Sequence, residues 1–157
     1  MATRSGTIDP GALLWLQDFH GVTAGSMTRS LEHASGLLGL CGISDLREVE
    51  REAARGNAAC TAAIDVYVHV LSRVLGGLAT SLDRLDALVF TGGVGEHSVL
   101  IRSRVCSRLR LLGVSAALRD ADSDAVIGTE PGLPSVVVVT AREDAEMARE
   151  ARRLLEV

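Results

Sequence analysis

No lysine occurs in this 157-residue chain, and all sixteen of its basic side chains are arginine. A P-loop sets a lysine on the terminal phosphates of its nucleotide, so a Walker-type nucleotidase is excluded. Any phosphate handling must rest on arginine, backbone amides or a metal. Basic clusters are also missing: twenty acidic residues leave a net charge of −4, and no nucleic-acid partner is implied. Cys41, Cys60 and Cys106 have no CxxC spacing, which argues for packed, reduced thiols in a cytoplasmic protein rather than a disulfide frame. The histidines at 20, 33, 69 and 97 show neither HExxH nor paired spacing, so a zinc site is not indicated. No apolar run reaches the roughly 18 residues a bilayer span needs, and no signal-peptide core opens the chain. The expectation is a soluble protein without a membrane partner, and no repeat or low-complexity tail interrupts it.

What is present suffices for one domain over residues 1–157. The chain is 47% apolar, enough for a real core and too short for two comfortable ones. Asp9-Pro10 marks a helix start, with Asp9 as N-cap and Pro10 in the first helical position, and Gly21 ends it. A second helix is expected over 23–33. Three glycines in Ser35-Gly36-Leu37-Leu38-Gly39-Leu40-Cys41-Gly42 read as an apolar loop. Ser44 or Asp45 caps a charged helix ending at Gly56. Asn57 begins a long helix whose apolar face is Ala62, Ala63, Val66, Val70, Leu71 and Val74, weakened at Gly76-Gly77. A strand over 86–91 enters a glycine loop, and a helix over 98–112 closes at Gly113. The stretch 114–134 reads as loop-rich with a short strand near 125–127. Val136 to Val139 reads as a buried strand, and a helix over 142–155 ends the chain. Strands alternating with helices place it in the α/β class with a helix-rich first part.

The segment Phe90-Thr91-Gly92-Gly93-Val94-Gly95-Glu96-His97-Ser98 carries the strongest chemical signal. Glycines without a Cβ let a nucleotide lie against the peptide, and the following helix start favours an anion. A tight turn is the alternative, and Glu96 and Ser98 can cap a helix as well as touch a ligand; capping is the reading taken for Glu96. Arg4, among Thr3, Ser5 and Gly6, offers a guanidinium fork to phosphate oxygens or lies solvated near a terminus. Asp45 and Arg47 either hold a ribose or pair within one helical turn. Glu143 and Asp144 follow a strand, where they could face Mg²⁺ or serve as helix-start acids.

Taken in order, Thr3-Arg4-Ser5-Gly6-Thr7-Ile8-Asp9-Pro10-Gly11, Ser35 to Gly39, Gly42 to Arg47, Phe90 to Glu96 and Glu143 to Arg149 resemble the C-terminal half of the acetokinase family. The resemblance implies a ribonuclease H-like lobe of the actin-like ATPase superfamily, a short sheet flanked by helices. It also implies reversible transfer of the γ-phosphoryl group of ATP to acetate, with Mg²⁺ and in a homodimer. Arg4 then matches the arginine that stabilises the transferring phosphoryl. Asp45, Leu46 and Arg47 match a nucleotide-contacting segment, and Gly92, Gly93, Val94, Gly95, Glu96 and His97 match the adenosine loop. Glu143 matches the metal-associated glutamate. A planar phosphoryl needs a cationic fork and Mg²⁺ more than a covalent nucleophile.

This sequence departs from the family pattern at Thr7, where aspartate is usual, and at His97, where asparagine is usual. Thr140-Ala141-Arg142 replaces a Pro-Thr-Asn/Asp run, and a cation at Arg142 would repel a divalent ion unless it turns outward. The first lobe, with its phosphate loop, catalytic residues and acetate pocket, has no counterpart here. Met1 stands two residues before Thr3, so the expectation is a piece of a longer kinase or an internal start, inactive until an N-terminal lobe complements it. The alternatives are a non-catalytic nucleotide-binding or dimerisation module and a kinase for propionate or butyrate. The apolar stretch 35–42 and the helix after Asn57 could be buried between subunits or within the core.

Overall fold

Side-chain caps organise the first half of the chain into helices. The computed structural model describes residues 2–115 and 123–155, and the chain divides into two compact units, Met1–Leu71 and Ser72–Val157. In the first unit, α1 (Pro10–His20) begins where the Asp9 carboxylate accepts from Gly11 N at 2.7 Å, and it ends at Gly21 in the left-handed region. The Thr23 hydroxyl caps α2 (Ala24–His33) by accepting from Ser26 N. Asp45 caps α4 (Leu46–Ala54). Asn57 Oδ1 accepts from Ala59 N and Cys60 N at the start of α5 (Ala58–Ala79). Each cap satisfies amide donors that a helix start leaves without partners.

The stretch 35–42 is a helix and not a loop: α3 spans Gly36–Cys41. Its glycines punctuate it without breaking it. Gly42, at φ 77°, is its left-handed C-cap, and Gly39 sits where a Cβ would come 2.9 Å from the Ala34 carbonyl oxygen. Between them Leu37, Leu38 and Leu40 are good helix formers, and Leu37 is buried.

Helix α5 also differs from its sequence reading. Cys60, Ala63, Ile64 and Val68 are buried, whereas Val66 and Val74 are 40% and 47% exposed. The apolar residues of this helix cover more than one face, so periodicity alone could not choose between ridges. The helix runs through Gly76 and Gly77 to Ala79, since two glycines costing about 1 kcal/mol each do not end a helix this long. By length and composition α5 could cross a membrane, yet it carries Asp65 and Arg73. Burial raises the pKa of Cys60, and Cys41 is half-buried.

The second unit is built on three strands, β1 (Ala87–Phe90), β2 (Ala125–Gly128) and β3 (Ser135–Val138), in the order β1-β3-β2. β1 and β3 are parallel, with Leu88 opposite Val136 and Phe90 opposite Val138; β2 is antiparallel to β3. Val136 and Val138 are fully buried, and Phe90 and Ile127 join them in the core. Beyond β1 come α6 (Gly92–His97) and α7 (Val99–Arg108), then a 3₁₀ turn, Arg110–Leu112, that closes at Gly113. Ser98 Oγ accepts from Ile101 N at 3.0 Å and caps α7. Burial pushes the Cys106 thiol up to about 11. The last helix, α8 (Glu143–Leu155), is exposed along its length. Of the stretch read as loop-rich, residues 116–122 lie outside the described residues.

Candidate functional site

Because β1 and β3 are adjacent and parallel, their C-terminal ends open on the same edge of the sheet. The chain leaves β1 through Thr91 into the glycines of α6, and it leaves β3 through Val139-Thr140-Ala141-Arg142 into Glu143. Open α/β sheets bind ligands in the crevice outside the carboxyl ends of their parallel strands. The loop at 92–97 and Glu143 therefore both follow strands that end on that edge.

The three glycines of the loop have different reasons to be there. Gly92 has φ 72°, a conformation that favours glycine. A Cβ on Gly95 would sit 3.2 Å from the Phe90 carbonyl carbon, so this glycine lets α6 close onto the end of β1. A Cβ on Gly93 would meet nothing within 4 Å. Neither the turn nor the packing demands a glycine at 93, and the space a side chain would take there is open. Val94 is half-buried and His97 is exposed.

Glu96 does not cap the helix. Its side chain is 8% exposed, and its Oε1 accepts from Ala141 N at 2.8 Å. Arg102, 1% exposed, donates through Nη1 to the carbonyl oxygens of Gly95 and Glu96 at 2.9 and 2.5 Å. The residues just before Glu143 are held from a second side, because Asp124 Oδ1 accepts from Thr140 N at 2.9 Å while Oδ2 takes Arg142 Nη2 at 2.9 Å. These bonds, the amide first, hold the Asp124 carboxyl below its usual range. Arg142 thus carries a carboxylate partner, which answers the expected repulsion beside Glu143. Sequence reading missed Arg102 and Asp124. A signal for Arg102 existed, since it lies at i−3, i−4 and i−7 to Val105, Cys106 and Leu109, all buried, and is charged on that face.

In the first unit the segment around Arg4 is tied down rather than frayed. Ser5 N donates to Leu31 O and Ser35 N donates to Thr3 O, both at 2.8 Å; Leu38 N donates to Ala2 O at 3.0 Å. Thr3 Oγ1 donates to Glu32 O at 3.0 Å. The backbone of Arg4 is held between the end of α2 and the start of α3, with its side chain exposed and in no ion pair among the described residues. Asp45 and Arg47 form a fork within one turn: Nε and Nη2 of Arg47 donate to the two carboxylate oxygens at 3.0 and 2.6 Å. That fork, with the Arg47 amide, lowers the Asp45 carboxyl to about 2. Leu46 is half-buried between them.

Among the described residues no cluster of three or more His, Cys, Asp or Glu could hold a metal. Glu143 stands exposed at the first position of α8. A lone exposed carboxylate suits Mg²⁺, which keeps several waters and is bound through one or two carboxylates plus substrate phosphates. Glu143 fits that role, and a preformed protein cage does not.

Comparison with known proteins bears on the same segments. The acetokinase family matches residues 1–149. The chain is 39% identical to an acetate kinase of Nostoc punctiforme over 159 residues, covering 99% of this chain and 39% of that protein. It is 38% identical to a propionate kinase of Enterobacter sp., covering 98% of this chain and 40% of that one. Porphyromonas gingivalis acetate kinase superposes with a TM-score of 0.88 at 33% identity, over 99% of this chain and 40% of its own. A propionate kinase from Francisella tularensis gives 0.84 at 35% identity, over 91% and 37%. The chain spans about two fifths of the length of these relatives. The superpositions bear out the expected α/β class and actin-like ATPase lobe, helix-rich with a small mixed sheet.

Proposed function

Since this chain belongs to the acetokinase family, we propose that it supplies the nucleotide side of a kinase that moves the γ-phosphoryl group of ATP to acetate or another short carboxylate. The observation that carries this reading is the shared strand edge: the open Gly93 and the Glu143 arm both leave the C-terminal ends of β1 and β3. In it, the backbone of residues 92–97 takes the adenosine, and Asp45, Leu46 and Arg47 of the first unit form a nucleotide-contacting segment. Glu143 faces Mg²⁺, which when bound offsets charge on the phosphate oxygens. The Arg4 guanidinium forks the oxygens of the transferring phosphoryl, where charge develops in the transition state. The pairing of Arg142 with Asp124 favours this reading over a non-catalytic module, because it removes a bare cation from beside Glu143. Propionate or butyrate as acceptor fits the relatives as well as acetate does.

The acceptor has to be held in line with the phosphoryl donor, and loss of such positioning forfeits roughly 7–11 kcal/mol of barrier reduction. The chain alone is therefore inactive, and an N-terminal lobe, supplied by a second chain or by a longer parent, completes it. A cytoplasmic location and a homodimer belong to the same proposal; exposed Leu14, Trp15 and Phe19 on α1 support the dimer. A hydroxamate assay with ATP, acetate and Mg²⁺ should read no turnover for the chain by itself and turnover once the N-terminal half of an acetate kinase is added. Arg4→Ala should then leave ATP affinity nearly intact and remove turnover. Robust turnover by the isolated chain, or ATP uptake without turnover after complementation, would contradict the reading.

A further inference from the structure

One side-chain bond ties the glycine loop to the segment that precedes Glu143, and it passes through Glu96, which a second bond fixes to α7. The Glu96 carbonyl oxygen is held by the buried Arg102, and its carboxylate reaches across 45 positions of sequence to the Ala141 amide at 2.8 Å. A carboxylate accepting from a backbone N–H makes a charge-assisted bond, and the 8% exposure of Glu96 keeps water from competing for it. On the other side Asp124 takes the Thr140 amide and Arg142. Two consecutive amides, those of Thr140 and Ala141, are thus gripped by carboxylates from separate parts of the unit, immediately before the chain turns into α8. With Arg102 at its base, Glu96 has one carboxylate oxygen committed to Ala141.

We infer that Glu96 is a positioning residue that fixes Glu143 relative to the loop at 92–97, so that a metal on the nucleotide phosphates meets its carboxylate without reorganisation. This rests on the proposed nucleotide site. Without the brace the arm at 139–142 keeps the bond of Val139 N to Phe90 O at its start and its Asp124 grip but loses the tie at Ala141, and Glu143 samples positions that do not serve the loop. Partners that orient a metal-facing ligand typically change metal affinity by 10–100-fold when lost, whereas contacts of the nucleotide with loop backbone do not involve Ala141. The signature is therefore a change in how much Mg²⁺ strengthens ATP binding.

Calorimetry of ATP binding, in MgCl₂ and in EDTA, on the chain with Glu96→Met and with Glu96→Gln tests this. Glu96→Met removes the acceptor at similar length, and the gain from Mg²⁺, the ratio of ATP affinity in MgCl₂ to that in EDTA, should fall about tenfold. Glu96→Gln keeps an acceptor oxygen and should recover most of that gain. An undiminished gain in Glu96→Met, or an equal loss with and without Mg²⁺, would overturn the inference. The brace is also read without nucleotide: the Ala141 amide resonance should move in Glu96→Gln, and an unmoved resonance would overturn it. Absence of ATP binding by the parent chain, with the Ala141 resonance moving as expected, would instead sink the nucleotide reading.

Discussion

A Gly93→Val chain folds as the parent does and binds ATP about tenfold to a hundredfold more weakly. Position 93 is the one glycine of its loop without a structural demand on it, because a Cβ there meets no atom within 4 Å and its φ is not in the left-handed region. The first carbon of an added side chain therefore meets no clash in the free protein. Valine fills the space in which the nucleotide is proposed to lie, and overpacking of that kind costs about 1–3 kcal/mol, a loss of about tenfold to a hundredfold in affinity. Calorimetry with ATP reads the affinity, and circular dichroism melting reads the fold. Unchanged affinity would remove the loop from the site. Valine at 92 or 95 makes the control, since Gly92 has φ 72° and Gly95 abuts the Phe90 backbone; both should lower stability as well.

Arg102→Met should destabilise the second unit by about 2–4 kcal/mol, the largest stability effect expected for a charged residue of the chain. The guanidinium is 1% exposed and donates to Gly95 O and Glu96 O. Methionine fills similar space and offers no donor, so the buried Glu96 carbonyl loses a partner at about 1–3 kcal/mol and the half-buried Gly95 carbonyl loses one at a smaller cost. Urea denaturation should show a lower midpoint at unchanged slope. A change below about 0.5 kcal/mol, the range of surface substitutions, would mean that the loop carbonyls find other donors.

Local chemistry was legible in the sequence wherever one residue serves its own turn. Asp9, Thr23, Asp45, Asn57 and Ser98 cap the helices they precede, because the bond spans two or three residues and the residue type states it. The strands near 87–90, 125–128 and 135–138 followed from apolar runs bounded by turns. The stretch 35–42 misled because glycine reads as a breaker, whereas here Gly42 ends a helix and Gly39 makes room for the Ala34 carbonyl. The face of α5 misled because alanine and valine stand on several sides of it. Of the candidate site, the glycine loop and Glu143 were visible as motifs. The bond that joins them was not, since nothing local in Glu96 points to an amide 45 positions away. Arg102 was readable as a charge on an apolar stripe, and Asp124 became meaningful only once β2 and β3 were paired.

The central claim is that ATP lies on the backbone at residues 92–97, beside the Glu143 arm. An NMR titration of the isotope-labelled chain with ATP and Mg²⁺ tests it most directly. The account predicts that the amide resonances of 92–97 and of Glu143 move together and saturate with one affinity, while those of β2 hold still. Saturable shifts confined to other residues, or none even after the N-terminal lobe of an acetate kinase is supplied, would contradict it.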